Sequence, residues 1–136
     1  MIRFLLDTDH VSLHERGHPA LRTWLAAVPP DSISVSVITV EEMIRGRLAV
    51  LARRTAGAAR IRAYTKFTET VLFFSSISVV PFDLDSEQIF QSLRTMRLRV
   101  GSQDLRIAAI VLANKLTLVT RNRRDFERIP ELSICG

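Results

Sequence analysis

Four carboxylates occupy positions that folding would bring together at one edge of a sheet. Asp7 directly follows a short apolar run, and Glu42 and Asp125 each follow a later predicted strand within about six residues. Asp104 begins the helix that leads into the last of these strands. Ligands of parallel sheets bind outside the carboxyl ends of the strands, and acids crowded there repel one another unless a cation neutralises them. The pattern predicts a site for Mg²⁺ or Mn²⁺, which prefer oxygen ligands.

Each of these acids also has a purely structural interpretation. Asp7 or Asp9 could cap the helix that follows the first strand, since Asp favours that position. Thr39 and Glu42 fit a capping box, in which the glutamate reaches back to the threonine amide. Asp104 would be favoured by the helix dipole at the start of a buried helix. From the residues alone, both interpretations stay open.

The predicted elements alternate between strands and helices. Strands are predicted at residues 2–6, 32–37, 78–82, 116–119 and 132–134. Helices are predicted from residue 9 to 28 with a break at 17–19, from 39 onward, and over 53–75, 85–99 and 102–113, with Asp85 as the cap of the fourth. This order, with no linker or repeat, predicts a single α/β domain over residues 1–136 in which a parallel sheet lies between helices.

The basic residues are mostly arginines. The 19 basic residues comprise 17 Arg and two Lys, and the net charge is +5. Residues 43–68 carry seven basic side chains and no acid. Such a stretch indicates either a nucleic-acid or acidic partner or a solvated helical face.

Composition excludes several classes of protein. No run of 18 or more apolar residues is present, so no membrane-spanning segment is expected, and no secretion signal is evident. The one cysteine, Cys135, cannot form an internal disulfide, which favours a reducing cytoplasm. One Cys and three His cannot supply an ordinary structural zinc site.

His10, His14 and His18 recur every fourth residue, but the break at 17–19 takes His18 off their common face. Packing or surface roles are therefore favoured over a metal role for these histidines. Gly46 lies inside a predicted helix, where glycine is unfavourable, and this suggests close packing against another element.

Four segments, in order, resemble the motifs of one family. They lie at residues 5–9 (LLDTD), 37–46 (VITVEEMIRG), 104–109 (DLRIAA) and 118–126 (LVTRNRRDF). In the second segment the spacing Thr39-x-x-Glu42-x-x-x-Gly46 selects Glu42 over Glu41. On these motifs the chain resembles a PIN-domain ribonuclease of the VapC toxin type over nearly its whole length. The resemblance implies a three-layer α/β/α sandwich around a mostly parallel sheet of four to five strands.

The resemblance also implies a reaction and the residues that perform it. The reaction is metal-dependent cleavage of RNA, with Asp7, Glu42 and Asp104 as the catalytic residues and as ligands of Mg²⁺ or Mn²⁺, and with one of them available as a base. Many relatives carry a fourth acid where this chain has Asn122, so either this amide or Asp125 completes the site. The number of metal ions, one or two, stays open. Further contacts to the ligands or the substrate are expected from Asp9, Thr120, Arg121 and Asn122.

The expected partners are RNA, a second copy of the chain in a homodimer, and a cognate VapB-like antitoxin that blocks the site, often with an inserted arginine. Contacts to RNA or to the antitoxin are expected from Arg45, Arg47, Arg53 and Arg54. The resemblance also implies a cytoplasmic location.

Two other functions fit parts of the sequence. Residues 7–11 (DTDHV) also match the start of a haloacid-dehalogenase-like phosphatase, in which Asp7 would be the nucleophile. Such an enzyme needs a late acidic pair after a strand, and residues 120–123 (TRNR) contain none. A non-catalytic RNA-binding module of the same fold is the other alternative; Asn122 favours it slightly, and the three acids oppose it.

Overall fold

The computed structural model of the protein describes residues 1–53 and 56–136. Within these ranges the strands are β1 (Phe4–Leu6), β2 (Ile33–Ser36), β3 (Ser78–Val80), β4 (Thr117–Val119) and β5 (Ile134–Cys135). The helices are α1 (Thr8–Glu15), α2 (Pro19–Ala27), α3 (Val37–Arg53), α4 (Gly57–Ser75), α5 (Leu84–Thr95), α6 (Ser102–Asn114) and α7 (Arg123–Phe126), with a 3₁₀ turn at Pro30–Ser32.

The sheet has the strand order β3-β2-β1-β4-β5, and all four neighbouring pairs are parallel. β1 lies at the centre, where Leu6 is in register with Val35 of β2 on one side and with Val119 of β4 on the other. Helices connect the strands, as parallel crossovers require. The predicted α/β architecture is confirmed, and the described residues form five strands that pair only in parallel.

Two hydrophobic clusters cover the two faces of the sheet. Successive side chains of a strand point to opposite faces, so Leu5 enters one cluster and Leu6 the other. The first cluster contains residues of α5 and α6, among them Leu93 and the run from Ile107 to Val111. The second packs residues of α1, α3 and α4, including Val11, Met43 and Phe74. The central strand is therefore buried on both sides, and the residue that follows it is fixed in position.

The helix after β2 begins earlier than predicted. It starts at Val37, and the hydroxyl of Ser36 accepts a hydrogen bond from the Thr39 amide at 3.2 Å. Thr39 therefore lies inside the first turn, and the capping-box interpretation, one of the two left open for Glu42, is wrong. The serine at the end of the strand satisfies the free amide, which releases the side chain of Glu42 for another role.

Other boundaries also differ from the prediction. α3 extends to Arg53 and α4 begins at Gly57, and α5 ends at Thr95. The cap of α5 is Asp83, not Asp85, because its carboxylate accepts from both the amide and the hydroxyl of Ser86 at 3.0 and 2.9 Å. These bonds hold the pKa of Asp83 below its ordinary value.

Gly46 does not pack closely against another element. It is exposed on α3, and a Cβ atom placed there would meet nothing within 4 Å. The prediction that Gly46 packs closely against another element is therefore wrong.

Arg47 ties three helices together. Its guanidinium donates to Thr70 of α4 at 2.9 Å and forms an ion pair with Glu15 of α1 at 3.1 Å. The side chains of Arg47 and Glu15 are only 23% and 13% exposed, so the pair is largely withdrawn from water. No helix in the described part of the chain is both long and apolar enough to cross a membrane.

Candidate active site

The centre of the sheet places Asp7 at a switch point in the topology. From β1 the chain continues to β2 and β3 on one side, and β4 and β5 add to the other side. The connections therefore leave in opposite directions next to the end of β1, and such a crevice is where open α/β sheets bind ligands. Asp7 is the first residue beyond β1.

Asp7 is held by contacts to both of its carboxylate oxygens. Oδ1 accepts from the amide of His10 at 2.8 Å and lies 3.0 Å from its Nδ1, so Asp7 is also the N-cap of α1. Oδ2 accepts from the hydroxyl of Thr120, which follows β4. Asp7 is only 5% exposed. Asp7 can therefore both cap α1 and bind a cation, since Oδ2 accepts only the Thr120 bond and keeps a second lone pair.

Glu42 is positioned by a chain of hydroxyls. Thr8 donates to Oε1 of Glu42 at 2.9 Å, and its hydroxyl oxygen lies 3.0 Å from that of Thr39. Thr39 is fully buried and contacts the Ser36 hydroxyl that caps α3. The first residue of α1 therefore fixes an acid on α3, and the two helices present their carboxylates to the same space.

Asp104 lies in the first turn of α6, close to the other acids. Burial, together with the weaker effect of the negative charges of Glu42, Asp7, Asp125 and Asp9, raises its pKa to about 6. Four carboxylates lie near enough to disfavour the ionised form of a fifth, although they come from distant parts of the sequence. The predicted crowding of acids at this edge of the sheet is present in the structure.

These acids line one cavity of about 230 Å³, which we call the acidic cavity. Its walls are Asp7, Thr8, Asp9, Glu42, Asp104, Asn122 and Phe126. Asn122 thus lies on the wall, whereas Asp125 stands behind it and accepts from its Nδ2 at 3.2 Å. Of the two residues that could complete the site, the structure therefore places the amide at the cavity.

The donors of the acidic cavity suit a hard divalent cation in their chemistry. Four carboxylates and a side-chain amide offer oxygen, the ligand atom that Mg²⁺ and Mn²⁺ prefer. Across the described residues, no three acidic, imidazole or thiol groups lie close enough together to hold a metal ion as they stand. The acids nevertheless line one cavity, where a bound cation would offset their mutual repulsion.

Several residues of the site were not singled out by the sequence. Thr8 and His10 lie next to the first acid, and their roles depend on contacts that appear only after folding. Phe126 is almost fully buried and lines the cavity. Thr120, which the resemblance had implied as a further contact, positions Asp7. Its hydroxyl also accepts from the backbone N–H of Asn122 at 2.9 Å.

The predicted arginine contacts fall into different environments. Arg45 is exposed and pairs with Glu41 one turn earlier, and Arg53 is exposed at the end of α3. Arg47 is engaged in the Glu15 pair described above, so the structure assigns it to helix packing and not to a partner surface. Arg54 lies outside the described residues. Arg121 is exposed beside the acidic cavity, next to Asn122.

Known proteins resemble this chain in both sequence and structure. A VapC ribonuclease, Y4jK, from Sinorhizobium fredii is 30% identical over 129 residues, covering 90% of this chain and 89% of that protein. A ribonuclease VapC from Rickettsia bellii is 24% identical over 138 residues, covering 96% and 92%. The DNA-bound VapBC structure from Salmonella typhimurium superimposes with a TM-score of 0.80 at 26% identity, covering 99% of this chain and 98% of the matched chain.

The family model that matches is described as the PIN domain, and it covers residues 4–132. This range runs from β1 to the residues just before β5 and includes every acid of the acidic cavity. Sequence, topology and the position of the acids agree, and the chain belongs to the PIN domain family.

Proposed function

We propose that this protein is a metal-dependent endoribonuclease that acts as the toxin of a toxin–antitoxin pair. The observation that carries the proposal is the convergence of Asp7, Glu42 and Asp104 on one cavity at the switch point of the sheet. The similar proteins named as VapC ribonucleases, and the similar structure named as a VapBC complex, support the substrate class and the toxin role.

Asp7, Glu42 and Asp104 would hold Mg²⁺ or Mn²⁺, and Asn122 would add an amide oxygen. When bound, such a cation supplies Lewis-acid chemistry, which makes water a better nucleophile and offsets the charge that develops on the phosphate. Thr120 and His10 keep the Asp7 carboxylate in one orientation, and Thr8 does the same for Glu42. Phe126 adds a buried apolar side chain to the lining of the cavity.

The direct test is RNA cleavage by the purified protein with Mg²⁺ or Mn²⁺ and with a chelator. We expect cleavage with either cation and none with the chelator. We also expect the cation to raise the unfolding temperature, because it binds only the folded state and adds about 2.7 kcal/mol at a hundred times its Kd. RNA cleavage that continues in the chelator would contradict the proposed dependence on Mg²⁺ or Mn²⁺. Hydrolysis of a generic phosphate monoester with RNA left intact would favour the phosphatase alternative.

The toxin role predicts that expression of the chain alone arrests growth. Expression of Asp104→Asn at the same level should be harmless, since the fold remains and the site does not. Co-expression of the cognate antitoxin should restore growth to cells that express the active chain. Normal growth of cells that contain soluble, RNA-cleaving protein would contradict the toxin role while leaving the nuclease proposal intact.

Thr8→Val removes the hydroxyl that holds Glu42 and keeps the size of the side chain. We expect roughly 10-fold weaker Mg²⁺ affinity or activity, the usual effect of losing a contact that orients a metal ligand. The measurement is the dependence of the cleavage rate on Mg²⁺ concentration. Thr23→Val is the matched control, because its hydroxyl donates only to the Pro19 carbonyl on the exposed face of α2. Equal behaviour of the two variants would remove Thr8 from the site.

A further inference from the structure

A second cavity lies close to the acidic cavity, on the other side of His10. It has a volume of about 340 Å³, and we call it the apolar cavity. Its walls include Leu13, Leu21, Trp24 and Val119, and its remaining lining comes from His10, His18, Ala20, Arg121, Cys135 and Gly136. The volume falls within the range of small-molecule sites, and a largely apolar wall with a few polar groups is their usual composition.

A third, open depression that carries two arginines adjoins both cavities, and we call it the passage. The passage is lined by Asp9, Leu13, Arg16, Arg121 and Asn122. It shares Asp9 and Asn122 with the acidic cavity, and it shares Leu13 and Arg121 with the apolar cavity. Arg16 and Arg121 form no ion pair with any described residue, and they outnumber the one carboxylate of the passage. The passage therefore has the charge to hold a phosphate.

The apolar cavity offers flat surfaces and a hydrogen-bond donor. The ring of Trp24 meets Phe4 edge to face, with centroids 5.1 Å apart, and also lines the cavity. Nδ1 of His18 accepts from the Leu21 amide at 3.4 Å, so Nε2 of the neutral ring is a donor. His10 lines the cavity and contacts Asp7 at 3.0 Å, so only one imidazole ring separates the cavity from the first acid.

We propose that the apolar cavity receives the base of a nucleotide next to the cleaved phosphodiester, with the intervening phosphate on Arg16 and Arg121. An RNA strand presents phosphates and aromatic bases in regular alternation. The molecule presents the matching series, with an acidic cavity for the reacting phosphate, a cationic passage, and an apolar cavity with an aromatic wall. This inference rests on the proposed cleavage of RNA and assigns its base-selecting residues.

The chain has a single tryptophan, Trp24, so its fluorescence reports directly on the apolar cavity. We would titrate the whole protein, in the presence of a chelator, with short oligoribonucleotides of mixed sequence. We expect saturable quenching, because a stacked base quenches the indole. An oligonucleotide that is abasic at each position should bind more weakly and leave the emission unchanged. Equal quenching by the abasic strand, or none by the complete one, would overturn the proposal.

Ala20→Phe tests the site by filling it from an exposed position on α2. We expect roughly 5- to 100-fold weaker oligonucleotide binding, the range for loss of one stacked base. Ala26→Phe makes the same change on the same helix away from the cavity lining and should bind as the original chain does. Arg121→Gln should lower the slope of log affinity against log salt by about 1, and Arg22→Gln should leave it unchanged. Equal affinities of the two phenylalanine variants would refute the assignment.

Cleavage of substrates that vary in the bases beside the cut separates this inference from the proposed function. If the original chain cleaves with a base preference, Ala20→Phe should flatten that preference and Ala26→Phe should retain it. Cleavage with the preference intact in Ala20→Phe would overturn the base site alone. Base-dependent quenching without any cleavage would overturn the nuclease proposal and support the base site.

Discussion

Asp104→Asn is expected to abolish RNA cleavage and at the same time to make the protein more stable at neutral pH. Loss of a charged metal ligand should lower the rate on the order of 10³-fold, because it removes electrostatic stabilisation of the developing phosphate charge. Stability should rise, because Asp104 is held among carboxylates that disfavour its ionised form. The carboxylate at position 104 is therefore needed for RNA cleavage but lowers the stability of the folded protein.

The sign of the pH dependence follows from the direction of the pKa shift. The pKa of Asp104 rises from 3.8 to about 6 on folding, so the folded state binds the proton more tightly than the unfolded state. This contribution to stability is complete below pH 3.8 and is lost as the pH rises through about 6. Because the group is partly exposed, we expect a loss of about 1–2 kcal/mol.

Urea unfolding between pH 4 and 8, in the presence of a chelator, measures this effect. The original chain should lose stability across that range, and Asp104→Asn should show a flatter profile and a higher midpoint at pH 7.5. Asp9→Asn serves as the control, since it removes an exposed acid from the same cavity and should change the profile little. A lower urea midpoint for Asp104→Asn than for the original chain at pH 7.5 would contradict the claim that the ionised Asp104 carboxylate destabilises the folded state.

Asp7→Asn is expected to abolish cleavage as well, but to destabilise the protein. Asp7 accepts hydrogen bonds at both oxygens from His10 and Thr120, and an amide replaces one of these acceptors with a donor. Asn can still cap α1 through its remaining oxygen, but loss of the buried bond from Thr120 to a charged acceptor should cost about 2–3 kcal/mol, which exceeds the gain from reduced repulsion.

Each acid-to-amide variant serves as a control for the other, because both replace one carboxylate of the acidic cavity with an amide. Unfolding midpoints at pH 7.5 should move in opposite directions while both activities disappear. A shift of both midpoints in the same direction would show that the two carboxylates occupy equivalent environments, contrary to the contacts described above. Residual cleavage by either variant at near its original rate would remove that acid from the catalytic set.

The positions of the main acids were predictable because they depend on topology and not on detailed contacts. Asp7 and Glu42 follow neighbouring parallel strands, and such strands end at the same edge of the sheet. Asp104 could be assigned to the same site because it lies at the start of a buried helix that leads into the next strand of the sheet. The alternation of apolar runs with helical segments was enough to predict the sheet, although the five strands are only two to four residues long.

The contacts that refine the site could not be predicted, since local patterns do not specify them. Thr39 and Asp85 fit capping rules as well as Ser36 and Asp83 do, and only the observed bonds decide between them. Arg47 belongs to a basic run in sequence, but its orientation toward Glu15 depends on how three helices pack. Gly46 shows the same limit, because an exposed glycine and a packed one are identical in sequence.

The central position of β1 has a consequence for when the enzyme becomes active during synthesis. The Thr120 partner of Asp7 and the β4 neighbour of β1 lie more than 100 residues after Asp7, with a separation of 113 for the Asp7–Thr120 bond. A nascent chain on the ribosome therefore lacks a complete active centre until β4 and Thr120 have emerged. For the nuclease proposed above, synthesis up to that point would give a harmless form, and a neutralising partner would first be needed afterwards.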